Sequence, residues 1–323
     1  MCTAITLKDT VTLFGRTLDV EKDYGQEIVL TPKKYRFQFK NGAVLDNHFA
    51  VLGTAIISKD YPLYFDAVNE TGLAAAGLNF PQNAVYTESK PDKNNLASYE
   101  LINYILSVCD SVVSAKEKLK NINITNENFS PDFPNSPLHF MFADKSGAIT
   151  VEQTKEGLKV YENEIGVLTN NPVFPYHTEN IKNYMGLSAT EPQNSFSKTF
   201  NLDCNSFGMG AIGLPGDMSS PSRFIRAAFF KENAKKENDI KRGVLQFFNV
   251  LGGVNQIKGV NKLPNGSDEY TVYTSCADLD NIVYYVKTYF YGLSAVCMKK
   301  EKLDGEKLLR WSAEKLPIIN RLN

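Results

Sequence analysis

Residues 2–7 read Cys2-Thr3-Ala4-Ile5-Thr6-Leu7, and residues 10–19 read Thr10-Val11-Thr12-Leu13-Phe14-Gly15-Arg16-Thr17-Leu18-Asp19. The first stretch alternates polar and apolar side chains, the second is rich in β-formers, and Lys8-Asp9 supplies a turn between them. The pattern predicts a hairpin whose second strand lies beside Cys2. Arg16 and Asp19 would then be neighbours of the thiol.

Cys2 becomes the first residue of the chain once Met1 is removed. Its free α-amine, with an ordinary pKa of about 7.7–8.0, could then accept the proton of its own thiol, whose ordinary pKa is about 8.5. Acyl transfer requires such a pair of nucleophile and base. Arg16 would stabilise the thiolate, and the Asp19 carboxylate would hold the amine. A lone cysteine near a terminus is usually inert, so Cys2 alone does not establish this chemistry.

Composition limits the classes of function. The 323 residues, 43% of them hydrophobic, can form one large core or two modest ones. A net charge of −1 gives no basic surface for nucleic acid. No apolar run reaches the roughly 18 residues that span a membrane, and the charges within residues 1–25 do not fit a signal peptide. The 5 cysteines, without a CxxC pair, favour a reducing compartment. We therefore expect a cytoplasmic protein that binds neither nucleic acid nor membranes.

Strand-like and helical segments are grouped along the chain rather than alternating. The predicted strands are 3–7, 11–14, 35–39, 50–57, 63–68, 73–78, 139–143, 148–152, 270–276 and 282–289, and the predicted helices include 98–108, 176–185, 222–236 and 240–251. This grouping predicts layered α+β packing. We expect one domain over residues 1–323, in which residues 186–221, rich in Gly, Pro and Ser, form a long excursion and an oligomer contact.

Two other patterns do not support a function. Gly208-Met209-Gly210-Ala211-Ile212-Gly213 fits GxGxxG, but Pro215 follows it and no hydrophobic strand precedes it, so we interpret it as a glycine loop. The three histidines, His48, His139 and His177, lack metal-ligand spacing, and we interpret them as satisfied or surface imidazoles. We therefore expect no metal and no cofactor.

Five separated motifs, taken together, resemble the choloylglycine hydrolase family, which comprises bile salt hydrolases and penicillin V acylases. They are Met1-Cys2-Thr3, Phe14-Gly15-Arg16-x-x-Asp19, Ala76-Gly77-Leu78-Asn79-Phe80, Gly166-Val167-Leu168-Thr169-Asn170, and Gly213-Leu214-Pro215-Gly216-Asp217 with Ser222-Arg223-Phe224. The resemblance covers essentially the whole chain. It implies the four-layer αββα sandwich of N-terminal nucleophile hydrolases, removal of Met1, and a homotetramer.

The resemblance also implies a catalytic set: Cys2, Arg16, Asp19, Asn79, Asn170 and Arg223. Cys2 would attack the amide carbonyl, and the backbone N–H of Asn79 and the side-chain amide of Asn170 would stabilise the oxyanion. Asp19 would hold the α-amine. Arg16 and Arg223 would set the electrostatics around the thiolate. Taken singly, Asn79 or Asn170 could be a turn residue and Arg223 an ordinary helix-surface charge.

The residue at position 79 bears on the substrate. Penicillin V acylases tend to carry Tyr there and bile salt hydrolases Asn, so Asn79 favours a conjugated bile salt as the small-molecule substrate. A steroid needs a broad apolar cleft. By resemblance it would be lined by Leu18, Tyr24, Phe65, Phe129 and Phe133, each of which could instead be an ordinary core residue. Two alternatives stay open: an amidase for penicillin V or another N-acyl compound, and a non-catalytic small-molecule-binding member of the fold.

Overall fold

The structure is a computed structural model that describes residues 1–314. The strands are β1 (Cys2–Lys8), β2 (Thr12–Val20), β3 (Glu27–Thr31), β4 (Phe37–Gln38), β5 (Val44–Leu45), β6 (Val51–Ser58), β7 (Tyr61–Asn69), β8 (Ala74–Asn79), β9 (Asn94–Ala97), β10 (Ile122–Thr125), β11 (Leu138–Asp144), β12 (Gly147–Thr154), β13 (Gly157–Glu162), β14 (Val167–Leu168), β15 (Asn261–Lys262), β16 (Asp268–Asp278), β17 (Val283–Thr288), β18 (Leu293–Cys297) and β19 (Leu309–Trp311). The helices are α1 (Leu101–Val108), α2 (Val112–Leu119), α3 (Phe174–Asn180), α4 (Ser220–Asn233) and α5 (Ile240–Gly252). The predicted domain extends to residue 323, so its last residues lie outside this range.

Two antiparallel sheets form the centre of the molecule. Sheet I has the order β14-β1-β2-β16-β17-β18, with β15 paired to β16. Sheet II has the order β13-β12-β11-β8-β7-β6-β3-β19. Two small pairs, β4-β5 and β9-β10, lie outside them. Sheet I combines strands from both ends of the chain, whereas sheet II is formed by residues 27–162 with β19 added at its edge.

Helices cover the outer face of each sheet. The alternation along β8 shows the layers: Ala74, Ala76 and Leu78 face the core between the sheets, whereas Ala75 joins a second core beneath α1 and α2. On the other side α4 packs on β1 and α5 on β2 and β16. The order helices, sheet II, sheet I, helices confirms the expected four-layer αββα sandwich.

The predicted N-terminal hairpin is confirmed. β1 and β2 pair with Cys2 opposite Leu18 and Ala4 opposite Arg16, and the turn lies between Lys8 and Thr12. A Cβ at Gly15 would lie 2.1 Å from the carbonyl oxygen of Ser275 on β16, so only glycine lets β2 and β16 approach this closely. The hairpin therefore lies inside sheet I, between β14 and β16.

The remaining predicted elements agree with the structure to different degrees. The hairpin of β11 and β12, the pair β16 and β17, and helices α1, α4 and α5 lie where the sequence places them. The strand predicted over 35–39 shortens to β4, and the helix predicted over 176–185 ends at Asn180 and continues as a 3-10 turn. Nine strands of at most six residues were not predicted, and some of them, such as β14 and β19, pair with strands far along the chain; they are β3, β5, β9, β10, β13, β14, β15, β18 and β19.

Residues 186–221 form a long excursion with little regular structure. Gly208 and Gly213 have φ values of +82° and +96°, and a 3-10 turn lies between them, which confirms the glycine loop. The excursion exposes large apolar side chains, including Phe196 at 84% and Phe207 at 95%. Within residues 1–314, no helix has the length and apolar character needed to cross a membrane.

Candidate active site

Cys2 lies at the start of β1, between β14 and β2, and only 2% of it is exposed. Its backbone N–H donates to Asn170 Oδ1 at 2.8 Å, and its carbonyl accepts from Arg223 Nη1 at 2.5 Å. Both contacts use the backbone of Cys2. They therefore fix the position of the residue and leave the thiol to react.

Met1 precedes Cys2 in this structure and occupies a defined site. Its amine donates to the backbone carbonyl of Asp19 at 2.7 Å and to the Glu269 carboxylate, and the N–H of Asp19 donates to the Met1 carbonyl at 3.0 Å. Burial lowers the pKa of this amine, although Cys2 and Asp19 act to raise it. The nitrogen of Cys2 is here a peptide N–H, so it can act as a base only after Met1 is removed.

Asn170 and Arg223 form one hydrogen-bonded unit next to Cys2. Arg223 lies on α4, is fully buried, and donates through Nη2 to Asn170 Oδ1 at 2.7 Å and through Nη1 to Thr3 Oγ1 at 2.6 Å. Burial lowers the pKa of Arg223, while Asp19 and Cys2 raise it in part. Asn170 Oδ1 is thus shared by the Cys2 nitrogen and a cation. Its amide group is therefore held in one orientation.

Asn79 ends β8, and its backbone faces this unit. Asn170 Nδ2 donates to the Asn79 carbonyl at 2.6 Å. Leu138 lies opposite Asn79 on β11, but its backbone binds the Tyr86 hydroxyl and not Asn79. The Leu138 carbonyl accepts from that hydroxyl at 3.3 Å, and the Leu138 N–H donates to it at 2.7 Å. Since the N–H and C=O of one strand residue point to the same side, the Asn79 N–H also faces away from β11 and toward Asn170. The Asn79 N–H thus lies on the side of β8 that faces Asn170.

Asp19 is fully buried on β2, but its carboxylate has partners that the sequence did not indicate. Its oxygens accept from the hydroxyls of Thr17 at 3.0 Å and Thr271 at 2.6 Å. The contact to the Met1 amine is made by the Asp19 backbone carbonyl. The role of the Asp19 carboxylate in holding the free amine of Cys2 therefore stays a prediction.

Arg16 crosses from sheet I to sheet II, and its side chain is fully buried. Its Nε donates to the Thr17 carbonyl at 3.0 Å, and Nη1 donates to the carbonyls of Phe65 at 3.2 Å and Gly77 at 2.5 Å. Burial acts to lower the pKa of Arg16, but Cys2, with Tyr273, Asp66 and Asp19, raises it above its ordinary value. Arg16 is therefore a permanent buried cation whose charge acts on Cys2.

The five predicted substrate contacts fall into separate groups. Leu18 lies opposite Cys2 across the hairpin. The rings of Tyr24 and Phe65 lie 6.3 Å apart. Phe129 packs against the second core instead, and the ring of Phe133 lies 6.4 Å from that of Phe129. The structure thus brings Tyr24 and Phe65 together, and the role of all five residues as substrate contacts stays a prediction.

Two histidines are confirmed as satisfied side chains. The ring nitrogens of His48 lie 2.7 and 2.9 Å from backbone carbonyls. Those of His139 lie 3.0 Å from Glu152 and 2.9 Å from the carbonyl of Thr169, so His139 braces the residue before Asn170. The third, His177, is buried, and burial lowers its pKa to about 4.

Sequence reasoning missed Glu269, Thr271 and Asp66, which are all buried around the site. Glu269 binds the Met1 amine and also accepts from Asn261 Nδ2 at 2.7 Å. The sequence does contain a signal for two of them. Glu269 and Thr271 are polar residues at alternating positions of β16, and most of this strand is buried.

Comparisons with known proteins are consistent with this geometry. A sequence model described as linear amide C–N hydrolases, choloylglycine hydrolase family, matches residues 2–310. The chain is 46% identical to the bile salt hydrolase/transferase of Lactiplantibacillus plantarum over 312 residues, which covers 96% of each chain. It is 38% identical to the bile salt hydrolase/transferase of Clostridium perfringens over 329 residues, which covers 100% of each.

Solved structures show the same architecture. A crystal structure of a mutant conjugated bile acid hydrolase from Clostridium perfringens superposes with a TM-score of 0.93 at 37% identity, covering 100% of both chains. The penicillin V acylase from Agrobacterium tumefaciens has a TM-score of 0.77 at 19% identity, covering 96% of this chain and 90% of its own. The second likeness bears on the fold alone.

Proposed function

Because this chain belongs to the choloylglycine hydrolase family of linear amide C–N hydrolases, we propose that it hydrolyses glycine- or taurine-conjugated bile salts with Cys2 as the nucleophile. The observation that carries the proposal is that Asn170 and Arg223 both bind the backbone of Cys2, while Asn170 also binds the backbone of Asn79. The two relatives described above are named as bile salt hydrolases, and they match essentially the whole chain.

The first step forms the tetrahedral intermediate that later gives the thioester. Once Met1 is removed, the amine of Cys2 takes the proton of its own thiol, and Sγ attacks the carbonyl carbon of the amide. The carbonyl π electrons move to oxygen as the S–C bond forms. The Cys2 nitrogen, held 2.8 Å from Asn170 Oδ1, is already fixed beside the thiol that it deprotonates.

The oxyanion receives two hydrogen bonds in this proposal. One comes from the Asn79 N–H and the other from Asn170 Nδ2, which has a second hydrogen besides the one given to the Asn79 carbonyl. Arg223 fixes the Asn170 amide by binding its Oδ1. Each such donor contributes about 3 kcal/mol to stabilising the transition state in comparable sites.

The tetrahedral intermediate collapses when the C–N bond breaks and the Cys2 ammonium gives its proton to the leaving nitrogen. Glycine or taurine departs, and the acyl group stays on Sγ. The amine then takes a proton from a water molecule that attacks the thioester carbonyl, and the C–S bond breaks to give the free bile acid and the thiol. Both half-reactions use the same base and the same oxyanion donors.

A substrate panel tests the proposed function. Purified protein is first subjected to N-terminal mass analysis, which must show that Met1 is absent, and is then given glycocholate, taurocholate and penicillin V. Faster hydrolysis of both bile salts is the expected result. Faster hydrolysis of penicillin V would support the sister acylase, and no hydrolysis of any of the three would support the binding member of the fold.

Asn79 gives a sharper test of the substrate. We expect Asn79→Tyr to keep the backbone N–H donor but to place a large ring beside the scissile amide, since the Asn79 side chain is exposed there. A steric misfit of about 1–3 kcal/mol changes relative kcat/KM by roughly 10–200-fold. The measurement is the ratio of glycocholate to penicillin V hydrolysis in both proteins.

The matched control is Gln82→Tyr, an exposed residue of the loop that follows β8. It should leave that ratio unchanged. A parallel fall of both activities in Asn79→Tyr would make Asn79 a general catalytic or structural residue and remove the main reason for choosing bile salts over penicillin V.

We also propose that the protein assembles as a homotetramer through residues 186–221. Phe207 is 95% exposed on this excursion, which is unusual for a large aromatic side chain. Phe207→Ser is expected to shift the protein to smaller species in light scattering. Val113→Ser, at a 65% exposed position on α2, is the control and should leave the mass unchanged. An unaltered tetramer in Phe207→Ser, or a monomeric wild type, would contradict the proposal.

A cytoplasmic location completes the proposal. All five cysteines lie within the described residues and are free thiols there, which favours a reducing compartment. Recovery of the protein from an extracellular or periplasmic fraction would contradict it.

A further inference from the structure

Asp66 is a buried carboxylate on β7, 1% exposed, at the junction of the two sheets. Its Oδ1 accepts from the Tyr273 hydroxyl at 2.5 Å, and its Oδ2 accepts from Ser275 at 2.7 Å and from Tyr284 at 2.5 Å. The three donors lie on β16 and β17 of sheet I, so one carboxylate of sheet II joins the two sheets. Such a charge is costly to bury unless it is paired, which points to a nearby cation.

Arg16 is that cation, and it is connected to Asp66 in two ways by hydrogen bonds. The Arg16 backbone N–H donates to Ser275 Oγ at 3.2 Å, and the Ser275 hydroxyl donates to Asp66. Arg16 Nη1 donates to the carbonyl of Phe65, the residue directly before Asp66. Burial raises the pKa of Asp66, whereas Arg16 and the three hydroxyl donors act to lower it.

A β-bulge in β7 makes the hydrogen bond between Arg16 and the Phe65 carbonyl possible. Thr54 on β6 pairs with Asp66, but the next residue, Ala55, pairs with Tyr64, so Phe65 is an extra residue in β7. A bulged residue is left out of the regular ladder, and its carbonyl can bind another donor. Here that donor is the Arg16 guanidinium. The bulge therefore allows β7 to contact Arg16, a residue of the proposed catalytic set.

We propose that Asp66 is a positioning residue for the reaction: it is the buried counter-charge that fixes the Arg16 guanidinium where it acts on Cys2. Asp66 acts through Arg16 and through the carbonyl of Phe65. The inference rests on the proposed function in one respect, namely that Cys2 is the nucleophile. The other charged groups that face the N-terminal residue are Asp19, Arg223 and Glu269.

The test is the pH dependence of Cys2 alkylation in Asp66→Asn. Iodoacetamide labels the mature protein over a pH series, and mass spectrometry follows the tryptic peptide of residues 2–8, so other thiols do not interfere. Removal of the Asp66 charge leaves Arg16 uncompensated and stabilises the thiolate, which should lower the midpoint by about one pH unit. The kcat for glycocholate should fall about 10–100-fold, with KM changed less than about threefold.

Tyr64→Phe is the matched control. Tyr64, like Asp66, is a buried polar residue of β7. Its hydroxyl, however, forms hydrogen bonds with Thr31 and with backbone carbonyls of sheet II, and not with Asp66. It should keep the wild-type midpoint and kcat. Tyr284→Phe removes one donor and no charge, and it should lower kcat several-fold at an unchanged midpoint. In an Arg16→Met background, Asp66→Asn should shift the midpoint no further.

Several outcomes would overturn the inference. A wild-type midpoint in Asp66→Asn with a loss of kcat no larger than that of Tyr64→Phe would make Asp66 a structural residue only. An additional shift in the Arg16→Met background would mean that Asp66 does not act through Arg16. If Asp66→Asn does not fold, a wild-type kcat in both Tyr273→Phe and Tyr284→Phe overturns it. If the wild type hydrolyses no glycocholate, the proposed function fails, while the alkylation midpoints still decide the role of Asp66.

Discussion

Cys2→Ser is expected to fold like the wild type and to lose amidase activity by about a thousandfold or more, as removal of a nucleophile does in other hydrolases. The fold should survive because Cys2 makes its hydrogen bonds to Asn170 and Arg223 through its backbone. The side chain itself is buried, and serine differs from cysteine by one smaller atom.

The loss follows from the chemistry of the pair. An α-amine with an ordinary pKa of about 7.7–8.0 is well matched to a thiol of about 8.5 and poorly matched to a hydroxyl, whose pKa is far higher. Asn79, Asn170 and Arg223 would be unchanged in the variant, so any residual turnover would measure oxyanion stabilisation and binding alone.

The measurement compares glycocholate turnover in Cys2→Ser, Cys297→Ser and wild type, with N-terminal mass analysis of each protein. Cys297 lies on β18, far along sheet I from β1, and its replacement should leave activity near that of the wild type. Retention of most of the wild-type rate by Cys2→Ser would refute the mechanism. A matching loss in Cys297→Ser would show that the assay reports damage to the fold.

Local patterns predicted the parts of the fold that depend on neighbours in sequence. The hairpin of β1 and β2 forms because alternating residues meet across a short turn, and the register places Ala4 opposite Arg16. The hairpin of β11 and β12 follows the same rule. The four layers followed from the resemblance, since strand order cannot be read from such patterns.

The contacts that assemble the site are long-range, and no local pattern specifies them. β14 has two residues, yet its pairing with β1 brings Asn170 to the nitrogen of Cys2. The orientation of the Asn170 amide depends on Arg223, 53 residues further along the chain. The resemblance named both residues, but only the structure shows that one oxygen of Asn170 serves Arg223 and Cys2 together.

Buried charges were the hardest feature to anticipate. No local pattern marks Tyr284 as a partner of Asp66, yet its hydroxyl donates to that carboxylate. Asp66 lies in a strand whose other residues are mainly apolar or aromatic. A single carboxylate in such a strand does not reveal its partner, because the partner lies on a strand from another part of the chain.

Asn170→Ala is expected to lower kcat by about 10²–10³-fold, the usual cost of removing one oxyanion donor. The loss should appear in kcat because the donor acts on an oxygen whose charge develops only in the transition state. The same change removes the acceptor shared by Cys2 and Arg223, which leaves the Cys2 nitrogen free to move. The measurement is kcat and KM for glycocholate, with thermal unfolding of each variant.

Asn171→Ala is the matched control, because the neighbouring asparagine makes a similar contact without reaching Cys2. Asn171 Nδ2 donates to the Pro81 carbonyl at 2.6 Å, just as Asn170 Nδ2 donates to the Asn79 carbonyl at 2.6 Å. A loss of loop support alone would affect both variants alike. A loss of the oxyanion donor affects Asn170→Ala alone, so equal kcat values in the two variants would show that Asn170 supports the loop and does not stabilise the oxyanion.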